Sequence, residues 1–374
     1  MKNGPVPGGK YAVGTFTFTV KNDREEVLRP GTKRSLSARV YYPALPESVK
    51  GLTKSLYMSR NMFKGLKDMF RIPMDYDKKT AEGENESECY ENAPRIEGKT
   101  FPLIVFNHGY QSFRESNSLL CIDLASRGYV VISIGHPLEG LCTEYDDGTC
   151  VFGDKKIFKE AQKPFIRNLL AQYRLTKLKG TEEENAEAFY AYQEKYGAFM
   201  KKRLPEWVKD VNAVVSYARN NLSDLIDFDY GIGLTGHSFG GATAYNLCMN
   251  DPQYVCGVNI DGGLFGDYKG QVLKTPFMQV TSEDNEPVVA RGYIHHTKPV
   301  YKTVFKDMKH IGFSDMKFGI RIASMTGKLP AEAMHENLCR CHAEFFDTHL
   351  KKIKTKPELS SNDVMRYKVY DPDE

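Results

Sequence analysis

The segment Gly236-His-Ser-Phe-Gly240 has the residue types and the spacing of a nucleophilic serine site, G-x-S-x-G. An apolar run at residues 230–235 predicts a short buried strand before it, and the residues after Gly241 predict an apolar helix. A serine hydroxyl becomes a good nucleophile when a sharp turn exposes it next to a base. Strand and helix crowd each other at such a turn, so we expect that a Cβ at Gly236 or Gly240 would clash. The plain alternative is a glycine-rich loop with a buried serine, because short motifs also occur by chance.

His310 is the best candidate for the base, because it alone follows the last predicted strand of the series, residues 302–305, in a short loop. His295 and His296 fall in a longer predicted loop. Three further histidines lie on the last predicted helix at seven-residue spacing, together with two cysteines: His335, His342, His349, Cys339 and Cys341. Side chains seven residues apart point down one helix face without converging, and the usual metal-ligand spacings are absent. No metal site is predicted.

Carboxylates that could orient this base follow two other predicted strands. Asp261 follows residues 256–260, whereas Glu283, Asp284 and Glu286 follow residues 276–280. Catalytic groups in parallel sheets gather at the carboxyl ends of strands, and the chain order Ser, acid, His is the one that α/β-hydrolases use. The general logic of that fold favours Glu283 or Asp284, one strand later than Asp261, so the acid is open on these grounds.

Two backbone N–H groups are expected to bind the oxyanion that forms when the serine attacks. One belongs to Phe239, directly after the serine, and we assign the other to Tyr110. Tyr110 follows His108-Gly109 at the end of the apolar run 101–107, which is where an H-G-G type motif stands in this fold. The plain alternative is a turn that simply ends a strand.

The elements that must position these residues alternate between strands and helices. Residues 101–107 and 129–134 predict buried parallel strands joined by a helix at 119–127. Residues 11–20 and 37–43 predict an antiparallel pair at the edge of the sheet, and helices are predicted at 204–218 and 330–350. The polar tail after Lys351 is expected to be peripheral. We therefore predict one domain over 1–374, an α/β fold with a mostly parallel, doubly wound sheet and an antiparallel N-terminal edge.

Two segments interrupt this alternation. The first, residues 47–99, contains apolar residues at helical spacing within 52–70, followed by a charged stretch at 75–95 that we expect to be loop. One interpretation is a helix with its apolar face on the core; the other is a lid that makes weak contact with a membrane interface. The second, residues 140–205, predicts a hairpin and a helical cap, with a capped restart after Gly180.

Composition excludes several classes of protein. The 374 residues are 41% hydrophobic and 12% aromatic, which suffices for a large core and excludes global disorder. Lysine and arginine exceed the acids by only 51 − 48 = 3, and no basic run or RNP-like motif is present, so no nucleic-acid partner is expected. Apolar runs are too short for a membrane span, and residues 1–9 lack the apolar region of a signal peptide.

Eight cysteines in a chain of this length do not form a disulfide scaffold. Cys142 and Cys150 flank a predicted Asp147-Gly148 turn on a diagonal, where a disulfide is sterically allowed but not required. Reduced thiols and a cytoplasmic location are the expectation, with export if a leader was removed.

Several segments together carry a resemblance to a known family: His108-Gly109, residues 123–130, Gly236-His-Ser-Phe-Gly-Gly-Ala-Thr243, Cys256-Gly-Val-Asn-Ile-Asp261 and His310-Ile-Gly-Phe-Ser-Asp315. They resemble the platelet-activating-factor acetylhydrolase family of α/β-hydrolases over about residues 10–350, densely around the site and thinly in 45–99 and 140–205. The resemblance implies Asp261 as the acid, and calcium-independent hydrolysis of short acyl esters without a cofactor. The family's phenylalanine after the serine is kept as Phe239, whereas Tyr110 stands where the family has leucine.

The resulting hypothesis is a serine carboxylesterase acting on short-chain acyl esters, with the sn-2 acyl group of a platelet-activating-factor-like phospholipid as one substrate. Ser238 is the nucleophile, His310 the base and Asp261 the orienting acid. The alternatives with the same chemistry are a polyester- or cutin-degrading hydrolase, a dienelactone-type hydrolase, a broad lipase, an amidase and an acyltransferase. The alternative from another class is a non-catalytic binding protein on a hydrolase scaffold. The oligomeric state is open.

Overall fold

The computed structural model describes residues 4–70, 75–320 and 322–372. Outside these ranges lie residues 1–3 and the last two residues of the tail. Residues 1–3 belong to the N-terminal segment in which the sequence predicts no signal peptide. The chain forms two compact units: Met1–Ile157 with Asp210–Tyr230, and Phe158–Lys209 with Gly231–Glu374.

The first unit contains a sheet with the strand order β3-β4-β1-β2-β6-β5. Its strands are β1 Ala12–Glu25, β2 Lys33–Ala44, β3 Lys54–Leu56, β4 Glu86–Glu91, β5 Phe101–Asn107 and β6 Val130–Gly135. β5 and β6 are parallel and entirely buried, as their continuous apolar runs predict, and α3 (Ser118–Ser126) joins them. β1 and β2 are antiparallel, as predicted. They are not the edge of the sheet, because β4 pairs with the outer side of β1.

The charged stretch at 75–95 is not all loop, which corrects the expectation from sequence. It contains α2 (Tyr76–Ala81) and then β4, which pairs with β1 and with β3. Ser87 and Cys89 of β4 are buried while the glutamates on either side are at least partly exposed, so the strand has two-residue periodicity built from small polar side chains. Such a strand has little hydrophobic signal, and pairing with its neighbours decides its conformation.

The helix expected within 52–70 is shorter than its apolar pattern. β3 occupies Lys54–Leu56, and α1 spans Arg60–Phe70. Met62, Phe63 and Leu66 of α1 are buried, which fits the core-packing interpretation; the side chain of Phe70 lies outside the described part.

The Asp147-Gly148 turn closes the predicted hairpin between β7 (Cys142–Glu144) and β8 (Cys150–Phe152). Cys142 lies opposite Phe152, and Cys150 lies opposite Glu144, so the two cysteines are diagonal as expected. None of the eight cysteines forms a disulfide. Burial, followed by the neighbouring Cys150, raises the pKa of the Cys142 thiol, which keeps it protonated.

The second unit contains a sheet with the strand order β9-β10-β11-β12-β13. β9 (Ile226–His237) begins in the first unit and ends in the second, where it pairs in parallel with β10 (Tyr254–Ile260). β11 (Phe277–Ser282) and β12 (Val300–Phe305) continue the parallel series. The carboxyl ends of these four strands therefore lie along one edge, where the sequence places the site.

The helices from α4 onward belong mainly to the second unit, although α4 begins and α7 ends in the first unit. They are α4 Lys155–Arg167, α5 Leu169–Leu175, α6 Glu182–Tyr196, α7 Ala198–Asn221, α8 Phe239–Asn250, α9 Met316–Gly319, α10 Ala323–Thr326 and α11 Ala331–His349. The capped restart is confirmed, because Thr181 and Glu184 form a reciprocal capping box. α7 begins six residues before the predicted start and contains Pro205 in its interior. None of the helices in the described ranges has the length and apolar character needed to cross a membrane.

The tail after Lys351 is not peripheral, contrary to the expectation. Met365–Tyr370 forms β13, which pairs antiparallel with β12 along all six residues. Met365 is fully buried, whereas Arg366, Lys368 and Val369 are exposed. The polar composition of an edge strand with one solvated face concealed this element from sequence analysis.

Candidate active site

A sharp turn between β9 and α8 holds Ser238. The serine has φ 57° and ψ −121°, a conformation that L-residues rarely adopt. Its N–H donates to Ile260 O on β10 at 2.8 Å, and its carbonyl accepts from the N–H groups of Gly241 and Ala242. Hydrogen bonds on both sides of the residue thus maintain the strained backbone, which is the strand-turn-helix geometry that the motif requires.

Two further glycines, Gly241 and Gly262, lie in close contact with the backbone and side chains around this turn. A Cβ on Gly241 would lie 1.8 Å from Asn259 Oδ1 and 2.8 Å from Gly236 O. A Cβ on Gly262 would lie 1.9 Å from Ser238 O. The backbone oxygen of Gly236 therefore takes part in the crowding, and residues 241 and 262 have no room for a side chain. The expected clash of a Cβ at Gly236 or Gly240 stays a prediction.

Ser238, His310 and Asp261 form a continuous hydrogen-bonded chain. His310 Nε2 lies 2.9 Å from Ser238 Oγ, and His310 Nδ1 lies 2.8 Å from Asp261 Oδ2. His310 opens a short 3-10 helix, His310–Phe313, beyond β12, and its side chain is 43% exposed, so substrate and water can reach it. The carboxylate accepts a hydrogen bond from Nδ1–H, so the lone pair of Nε2 faces the hydroxyl.

Asp261 is a rigid acceptor. It follows β10 directly, is fully buried, and has φ 57°. Its Oδ1 accepts from Ser282 N at 2.6 Å and Ser282 Oγ at 2.9 Å, and its Oδ2 accepts from Asn285 Nδ2 at 2.8 Å. These three donors hold the carboxylate in place. Sequence analysis did not single out Ser282 or Asn285, although both follow the same strand as the rival acids.

The rival acids have other partners. Glu283 Oε2 accepts from Asp307 N at 3.3 Å, and Asp284 forms an ion pair with Lys309. Glu286 pairs with Lys302 at 2.7 Å and with Arg366 at 2.8 Å. The structure therefore brings Asp261 to His310, in agreement with the family resemblance and against the general fold logic.

His237 is a further part of the site that sequence analysis missed. Its Nε2 donates to His310 O at 3.0 Å, and the two rings lie 4.8 Å apart at 31°. Burial, followed by the positive charge that His310 can carry, lowers the pKa of His237 to about 3. A neutral His237 thus supports the backbone of His310 without competing for its proton.

The two expected oxyanion donors lie in different units. Phe239 begins α8 in the second unit, where the helix dipole favours a negative oxygen, and its ring packs against Trp207 at 4.9 Å. Tyr110 lies in the first unit, in the turn that follows β5. His108 Nδ1 donates to Gly109 O at 2.7 Å in that turn, and Gln111, with φ 64°, donates its N–H to Glu139 O at 2.8 Å.

The histidines of α11 have separate partners. His335 contacts Cys339 Sγ at 3.4 Å, His342 Nε2 lies 3.0 Å from Thr235 Oγ1, and His349 Nε2 lies 2.9 Å from Tyr301 Oη. Burial lowers the pKa of His349 to about 4. Among the described residues, no group of three or more His, Cys, Asp or Glu side chains is arranged to bind a metal ion.

Comparison with known proteins decides the family. The model of the family "Platelet-activating factor acetylhydrolase, isoform II" matches residues 2–318. The chain belongs to this family. It is similar to the platelet-activating factor acetylhydrolase of Cavia porcellus, with 24% identity over 96% of this chain and 80% of that protein. It is also similar to the protein of the same name from Bos taurus, with 30% identity over 51% of this chain and 42% of the bovine protein.

This chain also shares its fold with an esterase of known structure. A ferulic acid esterase from Streptomyces cinnamoneus superposes with a TM-score of 0.67 at 20% identity, covering 96% of this chain and 95% of that structure. This likeness shows the fold, which is the α/β-hydrolase fold predicted from sequence. Family and fold together make the chain an ester hydrolase that acts on acyl esters.

Proposed function

We propose that Ser238, His310 and Asp261 are the nucleophile, base and orienting acid of a serine carboxylesterase. The observation that carries this proposal is the unbroken hydrogen-bonded chain from Ser238 Oγ through both ring nitrogens of His310 to Asp261. His310 Nε2 takes the hydroxyl proton as Oγ attacks the ester carbonyl, and the Asp261 carboxylate stabilises the resulting imidazolium. His310 then donates this proton to the leaving alkoxide, so that the alcohol leaves and an acyl-enzyme remains.

Deacylation uses the same groups with water in place of the hydroxyl. His310 removes a proton from water as the water oxygen attacks the acyl carbon, and it returns the proton to Ser238 Oγ when the carboxylic acid leaves. In both steps the N–H groups of Phe239 and Tyr110 stabilise the tetrahedral oxyanion. The start of α8 supports the first of these two roles.

The names of similar proteins support a proposal for the substrate class. The similar proteins of Cavia porcellus and Bos taurus are named platelet-activating factor acetylhydrolases, and a similar protein of Arthroderma benhamiae is named a probable 1-alkyl-2-acetylglycerophosphocholine esterase. We infer that this chain prefers short acyl groups, and that a phospholipid with an sn-2 acetyl group is among its substrates.

An acyl-chain series tests this preference. The purified chain is assayed on p-nitrophenyl acetate, butyrate, octanoate and palmitate, and on phospholipids with sn-2 acetyl or sn-2 palmitoyl groups. We expect kcat/KM to fall with increasing acyl length in both series. Equal or higher values for the palmitoyl substrates would contradict the short-acyl preference and favour a broad lipase. Ser238→Ala, which lacks the nucleophile, is the control for non-enzymatic hydrolysis.

A further inference from the structure

A buried cluster of charges lies in the first unit. Arg34 on β2 is almost inaccessible to solvent and donates from Nε and Nη2 to the two carboxylate oxygens of Asp210, at 2.8 and 2.6 Å. Its Nη2 also lies 3.1 Å from Glu139, and its Nη1 pairs with Glu26. Arg24 pairs with Asp210 as well. Two arginines thus meet three carboxylates in the interior.

Such a buried cluster of charges contributes little net stability to the fold. Charges lose their hydration on burial, and apolar side chains of equal volume are often at least as stabilising. Buried ion pairs can instead select one backbone arrangement over others. The question is therefore which part of the chain this cluster holds in place.

One path leads from the cluster to the turn that contains Tyr110. His136 Nδ1 donates to Asp210 Oδ2 at 2.8 Å, and the His136 backbone N–H donates to His108 Nε2 at 3.3 Å. The rings of His108 and His136 meet edge to face at 5.2 Å. His108 Nδ1 in turn donates to Gly109 O. Since Nε2 accepts and Nδ1 donates, the two contacts of His108 require the same neutral tautomer.

A second path reaches the other side of the same turn. Glu139, whose carboxylate contacts Arg34, accepts the Gln111 N–H at its backbone oxygen. Gly140 lies against the His108 ring, where a Cβ would be 3.3 Å from Cε1. The peptide groups before and after Tyr110 are thus both tied to segments that Arg34 holds.

Restraint of Gly109 O determines the direction of the Tyr110 N–H. In a trans peptide the carbonyl of one residue and the N–H of the next point in opposite directions from one plane. A hydrogen bond from His108 to Gly109 O therefore turns the Tyr110 N–H away from the His108 ring. We propose that Arg34, Asp210, His136 and His108 are positioning residues that orient the Tyr110 N–H as an oxyanion donor. This inference rests on the proposed function, which gives Tyr110 that role.

The charge states of Asp210 and His136 are compatible with this hydrogen-bonded network around neutral pH. Burial alone would raise the pKa of Asp210, but the Arg34 charge and hydrogen bonds from Arg34 and His136 hold it well below its usual range. Burial lowers the pKa of His136, although Asp210 opposes this effect. Asp210 therefore stays charged at neutral pH, and the shift favours the neutral form of His136.

The direct test is a pair of substitutions at His108. His108→Leu removes the donor to Gly109 O and leaves the charged cluster intact, whereas His108→Asn keeps an N–H donor near the position of Nδ1. For p-nitrophenyl acetate we expect His108→Leu to lower kcat about 100-fold with KM nearly unchanged, as for a lost or misplaced oxyanion donor. We expect His108→Asn to recover a large part of this loss.

A second measurement, the affinity for a transition-state analogue, tests the binding of the oxyanion alone. Trifluoromethyl ketones form a tetrahedral adduct with an active serine and place an oxyanion in the hole. Their affinity should fall in His108→Leu by a factor similar to the loss in kcat/KM. The affinity for acetate, the product, should not change. If His108 had only a structural role, His108→Leu would reduce the fraction of active sites that can be titrated. The kcat and the ketone affinity of the remaining folded enzyme would then be unchanged.

A matched pair of buried arginines on β2 tests the cluster itself. Arg34→Met removes the centre of the cluster, and Arg39→Met removes a buried arginine that contacts Thr15 and Ser55. Both should lower the melting temperature, but only Arg34→Met should lower kcat in the folded enzyme. If Arg34→Met does not fold, the His108 pair decides the proposal. Unchanged kcat in folded His108→Leu, or an equal loss of kcat in Arg39→Met, overturns it.

Failure of the positioning role and failure of the proposed function give different results. If Ser238→Ala retains full hydrolysis, the proposed function is wrong. If Ser238→Ala is inactive while folded His108→Leu retains kcat and ketone affinity, the serine mechanism stands and only the positioning role is wrong.

Discussion

Ser238 shows how much backbone strain the site contains. Ser238 and Asp261 both have a backbone φ of 57°. Residues other than glycine, asparagine and aspartate rarely adopt a positive φ. Residues held in such conformations cost on the order of 1–3 kcal/mol each, and they persist where surrounding contacts determine them. Hydrogen bonds from Ser282 and Asn285 supply such contacts for Asp261.

The identity of the acid is testable at single residues. Asp261→Asn keeps the shape of the side chain but removes the charge that stabilises the imidazolium and selects the Nδ1–H tautomer of His310. We expect a loss in kcat of about 10⁴-fold for a short p-nitrophenyl ester, because a serine triad without this charge holds the wrong tautomer of its histidine. Steady-state kinetics of the purified variant measure it.

Asp284→Asn is the control for this change, because Asp284 follows the next strand and pairs with Lys309. Its pair is partly exposed, so activity should stay within about twofold of the parent. A large loss in Asp284→Asn together with near-normal activity in Asp261→Asn would transfer the role to Asp284.

His237 makes stability depend on pH. Its folded-state pKa of about 3 is below the ordinary value of 6.5, so between these values the unfolded chain binds a proton that the folded chain does not. Stability therefore falls as the pH drops from about 6.5 toward 3, by up to about 1.4 kcal/mol per pH unit for one group. We expect the free energy of unfolding in urea to decrease from pH 7 to pH 5 and this slope to be shallower in His237→Gln. An equal slope in both proteins would refute the assignment.

At the scale of elements, the contact between the turn before α8 and the residues that follow β10 depends on glycine. Gly262→Ala would place a Cβ 1.9 Å from Ser238 O, and the backbone at that point cannot yield without moving the nucleophile. We expect Gly262→Ala to lower the melting temperature by several degrees and to abolish ester hydrolysis. Thermal denaturation and a p-nitrophenyl acetate assay measure the two effects.

Gly319→Ala is the matched control, because no atom lies within 4 Å of the added Cβ. Its melting temperature and activity should equal those of the parent. If Gly262→Ala behaves like Gly319→Ala, the packing around the elbow is looser than described.

The C-terminal strand supports the strand that leads to His310. β13 covers β12 along its length, and Met365 packs there beside Cys341 of α11. A chain ending at residue 360 should unfold at a lower temperature and lose activity, because β12 becomes an unpaired edge. A chain ending at Tyr370 is the control and should match the full-length protein. Equal melting temperatures for the two truncations would contradict the importance of β13.

The elements that sequence predicted well are those with strong hydrophobic patterns. β5, β6, α3 and α11 lie within a few residues of their predicted bounds, because continuous or periodic apolar runs determine them. β4 and β13 were missed because their buried faces carry few large apolar residues: Ser87 and Cys89 in β4, and Met365 in β13. Pairing partners distant in sequence determine such strands, and a local pattern does not contain them.

At the scale of the whole molecule, the residues of the site come from widely separated parts of the chain. The motif and the order of the strands identified Ser238 and His310, and family resemblance was needed to select Asp261. Ser282, Asn285 and His237 had no signal of their own, because they act through hydrogen bonds to other site residues. That the chain is one domain with insertions at 47–99 and 140–205 stays a prediction.

The most direct test of the central claim is covalent labelling with a fluorophosphonate, followed by mass spectrometry of the intact chain and its peptides. A serine activated by His310 and Asp261 should take up one label per chain, on Ser238, with activity lost in proportion to labelling. Ser238→Ala should be neither labelled nor active. A label on another residue, no reaction of the folded protein, or full hydrolysis by Ser238→Ala would contradict the account.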